Sequence, residues 1–347
     1  MTIRRRLMPL LVAAAVALTG QAAPAVAATP AEAWTAPGQS WALFSDDGTL
    51  VLSAGNTSAG GRVELRQAST GAVVRTLTSP LKVNAVALSA DNQTIAVTVN
   101  DTSSGLPVRT IRLYRASTGA LLRSIPTSAG RELDGLHFAP DGRTIAAMDA
   151  RSYERGGQVH VHRVSDGVRV RLLSVPATTA GVRFSPDGRY LAANDRVVTG
   201  GRAVPAVRVF RTDTWASTLT LADGDLLIRW TPDSTGLWTK RILPGVPTGL
   251  RLVSVPSGAV QRSLDLDLYD GVSDVTDDGA LALTNRLVAP RRTLTFTSTL
   301  TGADVATYDF GQDVFPGDVS PDGSLFTYAR TTAPSAFDVH VAHSPGH

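Results

Sequence analysis

The side chains best placed to do chemistry fall at one register of a repeating pattern. His137, Arg183, Arg229, Asp274 and Asp318 each stand two residues before a four-residue turn, and the next position holds Phe138, Phe184, Trp230, Val275 and Val319. Brought to one height around an axis, Arg183 and Arg229 could clamp a carboxylate or phosphate, with Asp274 or Asp318 as base and His137 as proton shuttle or metal ligand. The same set can also satisfy itself, because two Arg and two Asp pair as buried charges generally do. The second arrangement is the expected one, since no complete catalytic constellation accompanies the five.

Other motifs are incomplete. His160 and His162 sit i, i+2, a spacing usable for zinc, but the chain has no Cys and no nearby acidic triad, so a solvated strand face is expected, without metal or cofactor. Gly271-Val272-Ser273-Asp274-Val275 lacks the final Gly of a nucleophile elbow, and there is no phosphate loop, dinucleotide glycine fingerprint or EF-hand loop.

The elements that position these residues follow from seven copies of a turn. Ser45-Asp46-Asp47-Gly48, Ser89-Ala90-Asp91-Asn92, Ala139-Pro140-Asp141-Gly142, Ser185-Pro186-Asp187-Gly188, Thr231-Pro232-Asp233-Ser234, Thr276-Asp277-Asp278-Gly279 and Ser320-Pro321-Asp322-Gly323 recur at intervals of 44 to 50 residues. Pro presets φ at the first corner, Asp bonds its own backbone, and Gly or Asn accepts positive φ, so each copy closes a hairpin. A second turn follows each, from Ser69-Thr70-Gly71 and Ser117-Thr118-Gly119 through Thr212-Asp213-Thr214 to Ser344-Pro345-Gly346. Residues between turns alternate with period two, as in Val159-His160-Val161-His162 and Val207-Arg208-Val209-Phe210, and no comparable stretch has helical period. Two hairpins per repeat make four antiparallel strands, and seven such units predict an all-β, seven-bladed propeller.

The Ser-Pro-Asp-Gly turn after an apolar strand, followed by a Ser-Thr-Gly turn and a strand such as Ala120-Leu121-Leu122-Arg123-Ser124-Ile125, resembles the WD40-like and YVTN-type propeller repeats of bacteria. The resemblance covers nearly all of residues 28–347 and implies the propeller architecture. The Trp-Asp and Gly-His pairs of eukaryotic WD40 blades are absent, so partner rules do not carry over.

Blade seven lacks its outermost strand, and counting back from Gly48 puts residues 29 to 35 where an outer strand belongs. This segment is predicted to pair with the strand near Phe337 to Ala342, closing the ring through both termini. The first strand of each blade then lines a central channel. The tight turns share one rim, and the second-to-third and fourth-to-first connections share the other. The second-to-third connections are basic, with Arg151, Arg155, Arg286, Arg291 and Arg292, whereas the fourth-to-first connections lean acidic, with Asp134, Asp223 and Asp225 among them. The two sets could bind an anionic polymer such as teichoic acid or acidic glycan, or neutralise each other in water, and mutual neutralisation is expected.

Residues 1–27 have the parts of a secretory signal: Arg4, Arg5 and Arg6, an apolar run from Leu7 to Leu18, and Ala25-Val26-Ala27 before a cleavage point after Ala27. The run is too short to cross a bilayer, which takes about 20 apolar residues. The whole chain carries 33 basic and 30 acidic side chains for a net charge of +3, all of which belongs to those three arginines, so residues 28–347 are neutral. A neutral body lacks the field that draws a protein to nucleic acid or anionic lipid. The sequence therefore leads to a secreted, extracellular, monomeric propeller of one domain, a non-enzymatic scaffold for a protein or cell-envelope polymer. The alternative is a lactonase-like hydrolase or lyase using His137, Asp274 and Asp318, with Arg183 and Arg229 as ligand contacts.

Overall fold

The computed structural model describes residues 26–27, 29–101, 108–127, 133–149, 157–176, 179–243, 245–246, 248–266, 271–288, 291–311, 314–333 and 336–346. Every regular element among them is a β-strand, and the strands form seven antiparallel four-stranded blades. Within a blade, strands a to d run outward in chain order, as in blade one with Trp41–Phe44, Leu50–Thr57, Gly60–Gln67 and Val73–Ser79. Strands a carry the channel residues: Gly135–Phe138 in blade three, Val182–Phe184 in four, Asp225–Trp230 in five, Gly271–Val275 in six and Val314–Val319 in seven.

Blade seven contains strands from both ends of the chain. Its a, b and c strands are Val314–Val319, Leu325–Ala333 and Ala336–His343, and its outer strand is Glu32–Pro37, paired antiparallel with Ala336–His343 through Trp34 opposite Val341 and Pro37 opposite Asp338. The expected closure is therefore present, displaced by two or three residues. Trp34 extends it into blade one, where its indole N–H donates to the Ala68 carbonyl at 2.7 Å. Val26–Ala27 adds a short parallel pairing to Asp304–Asp309 at the edge of blade six.

The period-two alternation buries one strand face against each neighbouring blade. Phe44, Phe138, Phe184, Trp230, Val275 and Val319 are buried between blades, and Leu88 at the same register is half-buried. Each side chain of this size contributes about 1.5–3 kcal/mol on full burial, so the interfaces between blades dominate stability. Outer strands are half-exposed, and their apolar residues Val73, Leu121, Leu172 and Val260 face outward.

Six of the first turns share one bonding pattern, and the turn at Ala139, which has no hydroxyl, keeps only its main-chain N–H bonds to Asp141 and Ala139. In blade one the Ser45 hydroxyl donates to the Asp47 carboxylate at 2.6 Å, that carboxylate accepts the Thr49 N–H at 3.0 Å, and Gly48 N–H returns to the Ser45 carbonyl at 2.9 Å. The fourth turn residue is left-handed in all seven copies, including Asn92 at φ 58° and Ser234 at φ 62°. In blade four the second turn is shifted by one residue from its expected position. Trp215, at φ 60°, donates its N–H to the Arg211 carbonyl and occupies the place held by Gly71 in blade one. Its ring packs on the apolar cluster between blades three and four, which holds a bulky side chain in a conformation that otherwise favours glycine.

Candidate functional site

The five channel residues stand on strands a at one height, and each of four reaches the next blade. His137 Nδ1 accepts the Phe184 N–H at 3.3 Å. Asp274 accepts the Val319 N–H at 2.9 Å, and Asp318 accepts the Phe44 N–H at 2.8 Å. Arg229 donates instead, to the Val275 carbonyl at 2.6 Å. Register shifts at or beside Arg229, Asp274 and Asp318 turn these strand ends toward their neighbours, as β-bulges do. Arg229 also pairs with Asp277 at 2.7 Å and lies 3.4 Å from Asp274.

Arg183 is the exception. Its main-chain carbonyl accepts the Trp230 indole N–H at 3.1 Å, but among the described residues its guanidinium has no hydrogen bond or ion pair. It lies where two cavities meet. One, of about 450 Å³, runs down the channel past Asn84, Leu136 and Gly317, and the other, of about 380 Å³, opens among the tight turns.

Burial sets the protonation of this cluster. It holds the His137 imidazole down to about 3, with the nearby Arg183 charge adding to the effect, so the ring is neutral and its Nδ1 is free to accept. Asp318 is pushed up to about 7 by burial and by Asp274, against the opposing pull of Arg229 and Arg183. Burial also raises Asp46 and Asp277, opposed by Arg183 at the first and by Arg229 at both. Three of the four latches thus use a side-chain acceptor that a proton-transfer role would need free, and the fourth uses Arg229.

A second ring of latches, which sequence reasoning missed, works at the opposite rim. Asn56 bonds both the N–H and the carbonyl of Val83, Asn194 accepts the Leu227 N–H at 2.8 Å, Lys240 donates to the Val272 carbonyl at 3.0 Å, and Asn285 donates to the Val314 carbonyl at 3.1 Å. Asn56, Asn194 and Asn285 are separated by 138 and 91 residues, three and two repeat lengths, and that periodicity was the available signal.

Three rim arginines differ in position from the sequence reading. Arg286 lies within strand b of blade six, Leu281–Val288, and pairs with Asp304 at 2.5 Å, because the hairpin pairing continues farther than the loop assignment allowed. Arg291 and Arg292 begin the facing strand Arg291–Ser298, and Arg292 donates to Asn285 at 2.9 Å. Arg151 and Arg155 lie outside the described residues. In blade five, Arg241 and Arg251 pair with Asp223, so basic strand ends and an acidic connection meet directly.

His160 and His162 correct the expectation of a solvated face. Both are buried, 1% and 4% exposed, on the side of blade three that faces blade two. His160 lies 3.5 Å from Asp149, and His162 Nδ1 meets the Gly167 carbonyl at 3.0 Å. An aromatic pocket was also missed. Trp41, Phe315, Phe337 and Tyr328 line a cavity of about 330 Å³ between blades seven and one, at the rim of the longer connections. Phe315 is 46% exposed and meets Phe337 edge to face at 5.8 Å.

No family model and no curated protein matches the chain. The fold itself is widely shared. A chain in the crystal structure of the mitotic checkpoint complex aligns over 99% of both chains, with a TM-score of 0.68 and 15% identity. The hydrazine synthase of Kuenenia stuttgartiensis aligns over 89% of this chain and 96% of that one, with a TM-score of 0.64 and 16% identity. At such identities the likeness shows the fold alone, and one neighbour sits in an assembly while the other is named as an enzyme.

Proposed function

We propose that this protein is exported, losing residues 1–27, and acts as a non-enzymatic scaffold whose rim of longer connections binds a protein partner in or near the cell envelope. The observation that carries this reading is the pocket of Trp41, Phe315 and Phe337, an exposed aromatic anchor set in an apolar recess at the variable rim. Exposed aromatics in preformed recesses are what protein interfaces use as anchors. The latched state of His137, Arg229, Asp274 and Asp318 supports a binding role over the hydrolase or lyase alternative. A bacterial YVTN-type lineage fits the turns and the signal-like leader. An anionic wall polymer is supported less, because Arg286 and Arg292 already have partners in the fold.

The test is a pull-down from envelope extract and culture medium with the mature protein, Phe315→Ser and the double variant Arg291→Glu/Arg292→Glu. A protein recovered with wild type and the double variant but lost with Phe315→Ser supports the proposal. Loss only with the double variant would point to an anionic polymer, and equal recovery with all three baits would remove the aromatic rim from consideration.

A further inference from the structure

The channel ends in a second mouth, on the opposite face from the aromatic rim. There Asp46, Ala90, Asp277 and the four prolines of the Pro-Asp turns ring the cavity of about 380 Å³. Its floor holds Arg183, a guanidinium with five donors and, among the described residues, no hydrogen-bonded acceptor. The arginine is held at its root, since the Trp230 indole grips its carbonyl and strand pairing sets Arg183 opposite Ala192. Arg229 beside it is committed to Val275, Asp277 and Asp274, whereas Arg183, whose charge acts on Asp46 and Asp318, keeps its donors without a hydrogen-bonded acceptor among the described residues.

We propose that this tight-turn mouth binds a small organic monocarboxylate, its carboxylate held two-pronged by Arg183 and its apolar body resting on the proline ring and the edges of Phe184 and Trp230. The fork of an arginine matches a carboxylate in plane and spacing. Asp46, Asp277 and Asp318, which line this mouth, make a dianion such as a phosphate monoester unfavourable, because its second charge would face three carboxyl groups with Arg229 already paired. His137 stays neutral and contributes no charge. Asp318, Asp46 and Asp277 all hold their protons to higher pH than exposed carboxyls do, and each proton retained removes repulsion from the incoming anion. The site is independent of the rim reading and lies at the other end of the channel.

Benzoate is the probe, with phenyl phosphate and benzylamine as comparators, followed by titration calorimetry and thermal shift on the mature protein. Wild type is expected to bind one benzoate, Arg183→Gln to bind it at least about tenfold more weakly, and phenyl phosphate to bind at least about tenfold more weakly than benzoate. Benzoate affinity of wild type is expected to fall severalfold between about pH 5.5 and about pH 8 as Asp318 ionises. Near-ultraviolet circular dichroism checks that Arg183→Gln is folded, and if it is not, the wild-type pH profile and the preference for benzoate over phenyl phosphate decide. Absence of benzoate binding, equal binding by folded Arg183→Gln, equal binding of phenyl phosphate, or a flat pH profile would overturn the proposal.

Discussion

Replacing Asp318 by Asn isolates the cost of the buried carboxyl pair in the channel. Asp318 keeps its proton up to about 7 in the folded protein, against an ordinary value of 3.8. Between those limits the native state holds a proton that the unfolded chain has released, so stability falls as pH rises through about 4 to 7 and the loss is complete above that range. Each unit of difference corresponds to about 1.4 kcal/mol, which for this shift reaches about 4 kcal/mol. The carboxyl borders the channel cavity, where solvent relaxes part of the cost, so about 2–4 kcal/mol is the working range. Asparagine keeps an oxygen for the Phe44 N–H and presents an amide N–H toward Asp274, imitating the protonated acid at every pH. At about 2 cal/mol/K per residue over about 320 residues, the gain is about 3–6 °C in Tm. Asp318→Asn should therefore melt with wild type near pH 4 and some 3–6 °C above it near pH 8, as followed by calorimetric or circular-dichroism melts across that range. A difference in Tm that stays constant from pH 4 to pH 8, or a variant less stable than wild type at pH 8, would refute the assignment of the proton to Asp318.

Three other perturbations test the frame around the channel. Gly188→Ala places a Cβ 3.7 Å from Pro140, an ordinary contact, so only its φ of 71° is penalised; denaturant melts should show a loss of about 1–2 kcal/mol. Asn194→Ala leaves the Leu227 N–H without its acceptor inside the interface between blades four and five, and should cost about 1–3 kcal/mol with faster hydrogen exchange at Leu227. Deleting residues 28–36 removes most of the strand that pairs with Ala336–His343 and the Trp34 bond to Ala68, so Tm should drop and light scattering should show self-association through the bared edge; an unchanged Tm would mean that blade seven closes without it.

The parts of this molecule legible in its sequence are those encoded by local backbone demands. A Ser-Pro-Asp-Gly turn is recognisable because φ preference, side-chain bonding and positive φ are properties of four consecutive residues, and seven of them at even spacing imply the blades. The same logic explains where legibility stopped. Thr212-Asp213-Thr214-Trp215 carries no glycine to mark the left-handed residue, and tertiary packing of Trp215 decides the turn. Val159-His160-Val161-His162 alternates identically whichever face is covered, so burial of the histidines depends on blade two, a partner outside the window. The register of His137, Arg183, Arg229, Asp274 and Asp318 could be read, but which side chains bond the next blade depends on the neighbouring blade and, at Arg229, Asp274 and Asp318, on strand irregularities set by pairing. That distinction has the functional consequence. Four of the five residues are turned toward the next blade and join the ring together, and the fifth, Arg183, is left with its donors facing the cavity. Sequence periodicity made the five look equivalent, whereas the interblade bonds separate four structural residues from one available for a ligand.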